Sequence, residues 1–242
     1  MSSRIDAGSI STQLNPFGAQ QSGVQRGGDV PSVGQQVQQA LFGRAKPPVL
    51  DPAQFPQLAE QLRMLQRYKK KLAVMAGDDE DDYDICLADG TIAMIDEQGV
   101  IYVGAGFLSA VGDNPAILVG VLAHEIGHRP KRWGEYRTKR QLSYEELQML
   151  CRHEETRADI FAGKALAEME LPCEPLEGFL KRIEVGPHPD YFPAAVRAEV
   201  IREAHSGRST RVEARRKLFP GYNRMAAPKD ILGNTDLSIS TT

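Results

Sequence analysis

The chain is short of the features that mark membrane, disulfide-bonded or nucleic-acid-binding proteins. It has three cysteines, Cys86, Cys151 and Cys173, an odd set with no C-x-x-C pair. Neither a disulfide framework nor a cysteine-type zinc ribbon can be built from them, so reduced, buried thiols are expected. Long apolar runs are also missing. The longest, from Ala116 to Ala123, stops at His124 and Glu125, well short of the ~20 residues that span a bilayer. The first residues carry neither the basic nor the apolar region of a secretory signal, which makes folding in the cytoplasm the expectation. No charge sign dominates: 29 Lys+Arg against 32 Asp+Glu leave a net −3. That balance gives no global attraction to nucleic acid or anionic lipid, and neither is expected as a partner.

What is present suits a globular fold. With 41% hydrophobic and 25% charged residues in a chain of 242, one large domain or two small ones can bury a core. Residues 1–48 are rich in Gln, Ser and Gly and read as a flexible tail. Within it, Val33, Val37 and Leu41 have the spacing of a short helix over 32–42. Pro47-Pro48 then closes the tail, and the folded domain is expected over 49–206. Phe55, Leu58, Leu62, Leu65 and Tyr68 trace one helix face that ends in Lys69-Lys70-Lys71. The acidic run 78–82 reads as a solvated loop, because like charges repel. Short β-prone pieces at 83–87, 91–95 and 100–103, separated by Asp89-Gly90 and Asp96 to Gly99, predict a small sheet with a hairpin. Asn114-Pro115 writes a helix start. Helices follow near 144–167, 176–183 and 193–205, and 207–242 is a basic, then polar, tail. The fold class is α+β, mostly helical, with a small sheet beside the helix that starts at Pro115.

That helix carries the chemistry. His124-Glu125-Ile126-Gly127-His128 places two histidines four residues apart, hence on one face. Two imidazoles one turn apart can bind one tetrahedral Zn²⁺, with Glu125 beside the metal to act on water. The residues leading into the motif are apolar on nearly every side, so the helix is buried, and burying two histidines and a glutamate without a partner is costly. A catalytic zinc takes a third protein ligand. Six residues beyond His128 stands Gly134, not the histidine of a metzincin. Downstream, in His153-Glu154-Glu155-Thr156-Arg157-Ala158-Asp159, Glu155 and Asp159 share a helix face, and Glu154 points about 100° away. Glu155 is the expected third ligand. Asp159 is expected to orient one of the histidines through its free N–H.

With these residues the chain resembles the gluzincin metallopeptidases of the HtpX and CAAX-prenyl-protease type. Gly99 to Leu108 is similar to the strand and turn before that family's active helix, and Glu155-Thr156-Arg157-Ala158-Asp159 matches its E-x-x-A-D, in which the Glu binds zinc. Pro187-His188-Pro189, with Arg197 eight residues later, resembles the family's His-Pro block and downstream Arg. The likeness spans about residues 50–205. Two features depart from it: the membrane helices common in the family are missing, and no Asn-Ala-Phe-like element stands near Leu87-Ala88-Asp89.

The resemblance implies a zincin domain and a zinc-dependent endopeptidase acting on a polypeptide, with Glu125 as general base. His188 would contact the metal or the oxyanion, and Arg197 would fix the loop of His188. The strand near 100–104 would pair with an extended substrate. Tyr102, Tyr136 and Tyr191 are further candidates for the oxyanion, but most tyrosines pack in the core and these stay unassigned. Three other expectations remain open. The chain could be a zinc-binding interaction protein that does not cleave. It could be a latent enzyme whose cleft is occupied by a tail. It could be a protease effector exported without a signal peptide. The oligomeric state is not legible.

Overall fold

Helix α4 (Pro115–Gly127) is apolar all round, and the other elements are arranged to cover it. Its start follows the sequence signal: the Asn114 side chain accepts from the Ile117 amide at 3.3 Å, and Pro115 takes the first turn. Its end is set by Arg129 at φ 45°, followed by Pro130, which cannot continue a helix. The computed structural model describes residues 30–184, 186 and 191–207. The expected tails at 1–29 and 208–242, and His188 with its flanking prolines, lie outside the described residues.

The elements in chain order are α1 (Val33–Phe42), α2 (Ala59–Ala76), β1 (Asp84–Ala88), β2 (Ala93–Ile95), β3 (Val100–Gly104) and α3 (Ala105–Val111). They continue with α4, α5 (Tyr144–Glu168), α6 (Glu174–Ile183) and α7 (Ala194–His205). The α+β class holds: helices dominate and three strands form one sheet. Helices α2, α5 and α6 and strand β2 all pack on α4, and α7 packs on α5 and α6. One apolar cluster runs from Val33 to Ile201 and includes Leu65, Leu72, Ile101, Leu118, Leu122, Ile126, Trp133 and Leu166. No helix among the described residues is long and apolar enough to cross a membrane. The cysteines are free; Cys151 and Cys173 are buried and Cys86 half-buried.

Four expectations need correction. First, residues 32–42 are not tail. Helix α1 has a capping box, in which Ser32 and Gln35 bond each other's backbone amides, and it buries Val33, Val37 and Phe42 in the common core. Gly34 lets it lie directly on the segment after α4: a Cβ there would sit 1.9 Å from the Trp133 carbonyl oxygen. The Gln36 side-chain amide donates to the Arg140 carbonyl at 2.6 Å, and that of Gln38 to Pro130 at 3.2 Å. The polar composition that suggested a tail is thus spent on backbone carbonyls of a neighbouring loop.

Second, α2 runs past the lysine run to Ala76, because Lys69 is buried along its stem and its ammonium donates to the Tyr83 carbonyl at 2.6 Å. Third, the acidic loop is docked rather than merely solvated. Asp78 pairs with Arg129 at 2.6 Å and accepts from the Tyr83 hydroxyl, and Asp82 pairs with Lys131. Those bonds hold the turn that ends α4.

Fourth, β3 is the central strand. The order is β1-β3-β2, with β1 parallel and β2 antiparallel to β3. Both edges of β3 are therefore filled, and no substrate strand can pair there. The strand with an outer edge near α4 is β2.

Candidate metal centre

Side chains from four elements converge at the C-terminal end of α4. His124 and His128 stack edge to face with ring centroids 4.9 Å apart, as helical spacing requires. Opposite them, α5 presents Glu155, with Oε2 3.2 Å from His124 Nε2 and Oε1 3.8 Å from His128 Nε2. One donor atom from each residue lies within 4.8 Å of the others. The close packing of the helices makes this possible: a Cβ on Gly127 would lie 3.0 Å from the Cα of Ala158. A bulkier residue at 127 would push α5, and Glu155 with it, away from the histidines.

The set fits a divalent cation. Glu155 Oε2 is buried with no aligned hydrogen bond, although His124 Nε2 is near. These atoms face a shared space rather than bond one another. That space is a cavity of about 40 Å³ lined by His124, Glu125, His128, Glu155, Arg44 and Tyr191, among others, enough for an ion and a water. Two imidazoles and a carboxylate form a donor set of zinc type. A larger open groove of about 480 Å³, between α2 and β1, is lined by Pro52, Leu62, Arg63, Gln66, Arg67, Ile85 and Leu87. It contains no histidine or acid, so size alone does not mark the chemistry.

The expected supporting residues Asp159 and Arg197 are in place. Asp159 Oδ1 lies 3.0 Å from His124 Nδ1, which fixes the tautomer that turns Nε2 toward the cavity. Arg197 grips Asp159, with Nε 2.8 Å from Oδ2 and Nη2 2.9 Å from Oδ1; its expected hold on the His188 loop falls outside the described residues. This bidentate pair locks the carboxylate that locks the histidine. Nδ1 of His128 has no partner among the described residues.

The protonation of the cluster follows from burial and charge. Burial disfavours a charged His124, but its bond to Asp159 and its nearness to Glu155 overcome this and raise its pKa to about 10. His128, with less compensation, is driven down by burial to about 4. Burial would raise Glu155; the charges of His128 and His124 outweigh it and bring the carboxyl to about 2. Asp159 is likewise held low, where Arg197 overcomes burial. Glu125 is raised by burial, against the pull of His124, Arg44 and the Ile95 amide. Without a metal, a proton on His124 serves as the cation that the carboxylates need.

Two features escaped sequence reasoning. Arg44 lines the same cavity as Tyr191, one of the three tyrosines weighed for the oxyanion; it stands in a stretch whose composition resembles a linker, and no pattern marks it. Glu154 is not idle: it is buried in an ion pair with Arg132, with Arg157 3.7 Å away. The basic Lys131-Arg132 just after α4 was the available signal for that pair. His153 is half-buried and belongs to no metal cluster among the described residues.

No family model, curated protein or solved structure matches the chain.

Proposed function

We propose that this chain is a zinc-dependent endopeptidase of the gluzincin kind, with a zincin-type fold, that hydrolyses peptide bonds of polypeptides. One observation carries the reading: Glu125 lies in the same small cavity as the His124, His128 and Glu155 donor set. A structural metal site has use for the histidines and the third ligand but none for an additional buried carboxylate whose pKa burial raises. The resemblance of the E-x-x-A-D block supports the same assignment.

His124, His128 and Glu155 would hold Zn²⁺, which when bound would supply Lewis acidity for the scissile carbonyl. Glu125 takes a proton from the attacking water as its oxygen bonds to the carbonyl carbon. It then passes that proton to the nitrogen as the C–N bond breaks. Asp159 and Arg197 keep His124 in the tautomer that the metal requires. The outer edge of β2, whose three residues line the cavity and whose Ile95 amide is held by Glu125, is the surface on which an extended peptide would add backbone hydrogen bonds. His188 stays a candidate for the metal or oxyanion role.

The experiment is zinc content together with cleavage of casein by wild type and Glu125→Gln. Wild type should hold one zinc and cleave; the variant should hold zinc and lose activity by about 10²-fold or more. If both hold zinc and neither cleaves, before or after limited proteolysis, the chain is a zinc-binding interaction protein. A latent form of the same enzyme is favoured by one observation. Leu41 and Phe42 of α1 help close the cavity to about 40 Å³, too little for a peptide. Cleavage that appears only after limited proteolysis of the N-terminal segment would establish it.

A further inference from the structure

We propose that Arg44, with Tyr191 hydrogen-bonded to it, binds the negative charge that builds on the substrate's carbonyl oxygen during hydrolysis. The inference rests on the peptidase reading and assigns a function to two residues outside the zinc motif. Among the described residues lining the cavity, Arg44 is the one lysine or arginine, against the carboxylates of Glu125 and Glu155. A guanidinium in a small cavity next to a base is well suited to hold charge that appears only as the reaction proceeds.

Arg44 is held from both sides in the sequence. Two residues before it, the Phe42 ring packs edge-on against His128, with centroids 6.1 Å apart. Two residues after it, the Lys46 ammonium is 2.6 Å from the Asp96 carboxylate, which is itself wholly buried in the β2–β3 turn. Asp96 is fixed in turn by the Gln98 and Val100 amides and the Tyr102 hydroxyl.

Tyr191 is equally constrained. The Arg197 guanidinium lies 5.1 Å from the centre of its ring while gripping Asp159, and the hydroxyl side interacts with Arg44. The two residues reach the cavity from opposite ends of the chain, and each is anchored to a group that serves the donor set. As water attacks, the carbonyl π pair moves onto oxygen and the proton goes to Glu125. When the C–N bond breaks, the pair returns and the amine leaves with that proton. Arg44 and Tyr191 would bind the oxygen while it bears the charge.

The test uses the full zinc-loaded chain as wild type, Arg44→Ala, Arg44→Lys and Tyr191→Phe. Three quantities are read: zinc content, casein cleavage across pH, and calorimetric binding of methylphosphonate as an anionic mimic. Zinc content should not change. Arg44→Ala should lower kcat by about 10²-fold with little change in KM and weaken methylphosphonate by about tenfold or more. Arg44→Lys should recover part of both, which also guards against a folding defect, and Tyr191→Phe should lose less than Arg44→Ala.

Unchanged kcat and unchanged methylphosphonate affinity in Arg44→Ala would overturn the proposal. So would a loss confined to KM for peptides with acidic side chains, which would make Arg44 a reader of substrate charge. A shifted acid limb with an unchanged plateau rate would also overturn it, because Arg44 would then act only on Glu125. If wild type cleaves nothing, before or after limited proteolysis, yet Arg44→Ala still loses methylphosphonate, the peptidase reading falls and the anion-binding pair stands.

Discussion

Helix α5 buries two adjacent carboxylates, Glu154 at 1% exposure and Glu155 at 5%, on different faces. Glu154 meets Arg132, with Arg157 nearby, and the charges are matched within the fold. Glu155 meets two imidazoles whose positive charge depends on a borrowed proton. The first arrangement is closed in charge, although Glu154 Oε1 and Arg132 Nε and Nη1 are buried without hydrogen bonds. The second balances its carboxylate with a proton, in a place where a cation can be held. Burial by itself therefore separates neither structural from functional acids; what separates them is whether the partner carries a permanent charge.

The largest expected effect breaks the closed pair. Glu154→Ala strands Arg132 in the core and should lower stability by about 3–5 kcal/mol, read by urea unfolding of the metal-free protein. Glu155→Ala should cost far less stability in that assay and abolish zinc retention on dialysis. If the two variants exchange these behaviours, the division between the acids is wrong.

Next comes the carboxylate that orients His124. Asp159→Asn keeps the shape but weakens the hold on His124 and on Arg197, and zinc affinity should fall by about 10–100-fold in competition with a chromophoric chelator. An effect of that size on unfolding alone, with zinc affinity intact, would move Asp159 to the structural side.

The borrowed proton gives a sharper distinction. His124, near 10, is protonated at neutral pH and His128, near 4, is not. Zinc must displace that one proton, so binding should release about one proton per ion and tighten about tenfold per pH unit through neutrality. Calorimetry in buffers of different ionisation enthalpy measures it. Zero release would mean that no proton occupies the cation's place.

The smallest effect concerns Asp96. Burial would raise its pKa, but Lys46 and the Val100 and Gln98 amides outweigh it and hold the carboxyl below its usual value. The folded value is thus lower than the unfolded ~3.9. The stability it contributes is fully present above that pH and is lost as pH falls through the lower, folded value. Melting curves of wild type and Asp96→Asn should differ at pH 6 and draw together below pH ~3.9.

The donor set was legible because it is written in helical arithmetic. His124 and His128, and Glu155 and Asp159, are i and i+4 pairs, and their helices cross where the sequence puts small residues, Gly127 and Ala158. Local patterns also yielded α4, α5 and all three strands to within a few residues. Strand order was not legible from turns alone, although the nearly unbroken burial of Val100–Gly104 is that of a central strand. Arg44 and the burial of helix α1 were missed for a different reason. The docking of α1 depends on carbonyls about a hundred residues away, such as that of Arg140, and no local window contains that information. Arg197 came from resemblance; its actual partner, Asp159, came from the fold.

The contact at Gly127 has a bearing on how tightly an ion bound there would be held. The spacing between the imidazoles and Glu155 is fixed by two backbones touching, Gly127 against Ala158, rather than by long side chains searching for a common point. The metal site is therefore a gauge of helix separation. Any strain that parts α4 from α5 by a fraction of an ångström, whether heat, pressure or a methyl group at position 127, should register first as a faster zinc off-rate, before any loss of helix is visible.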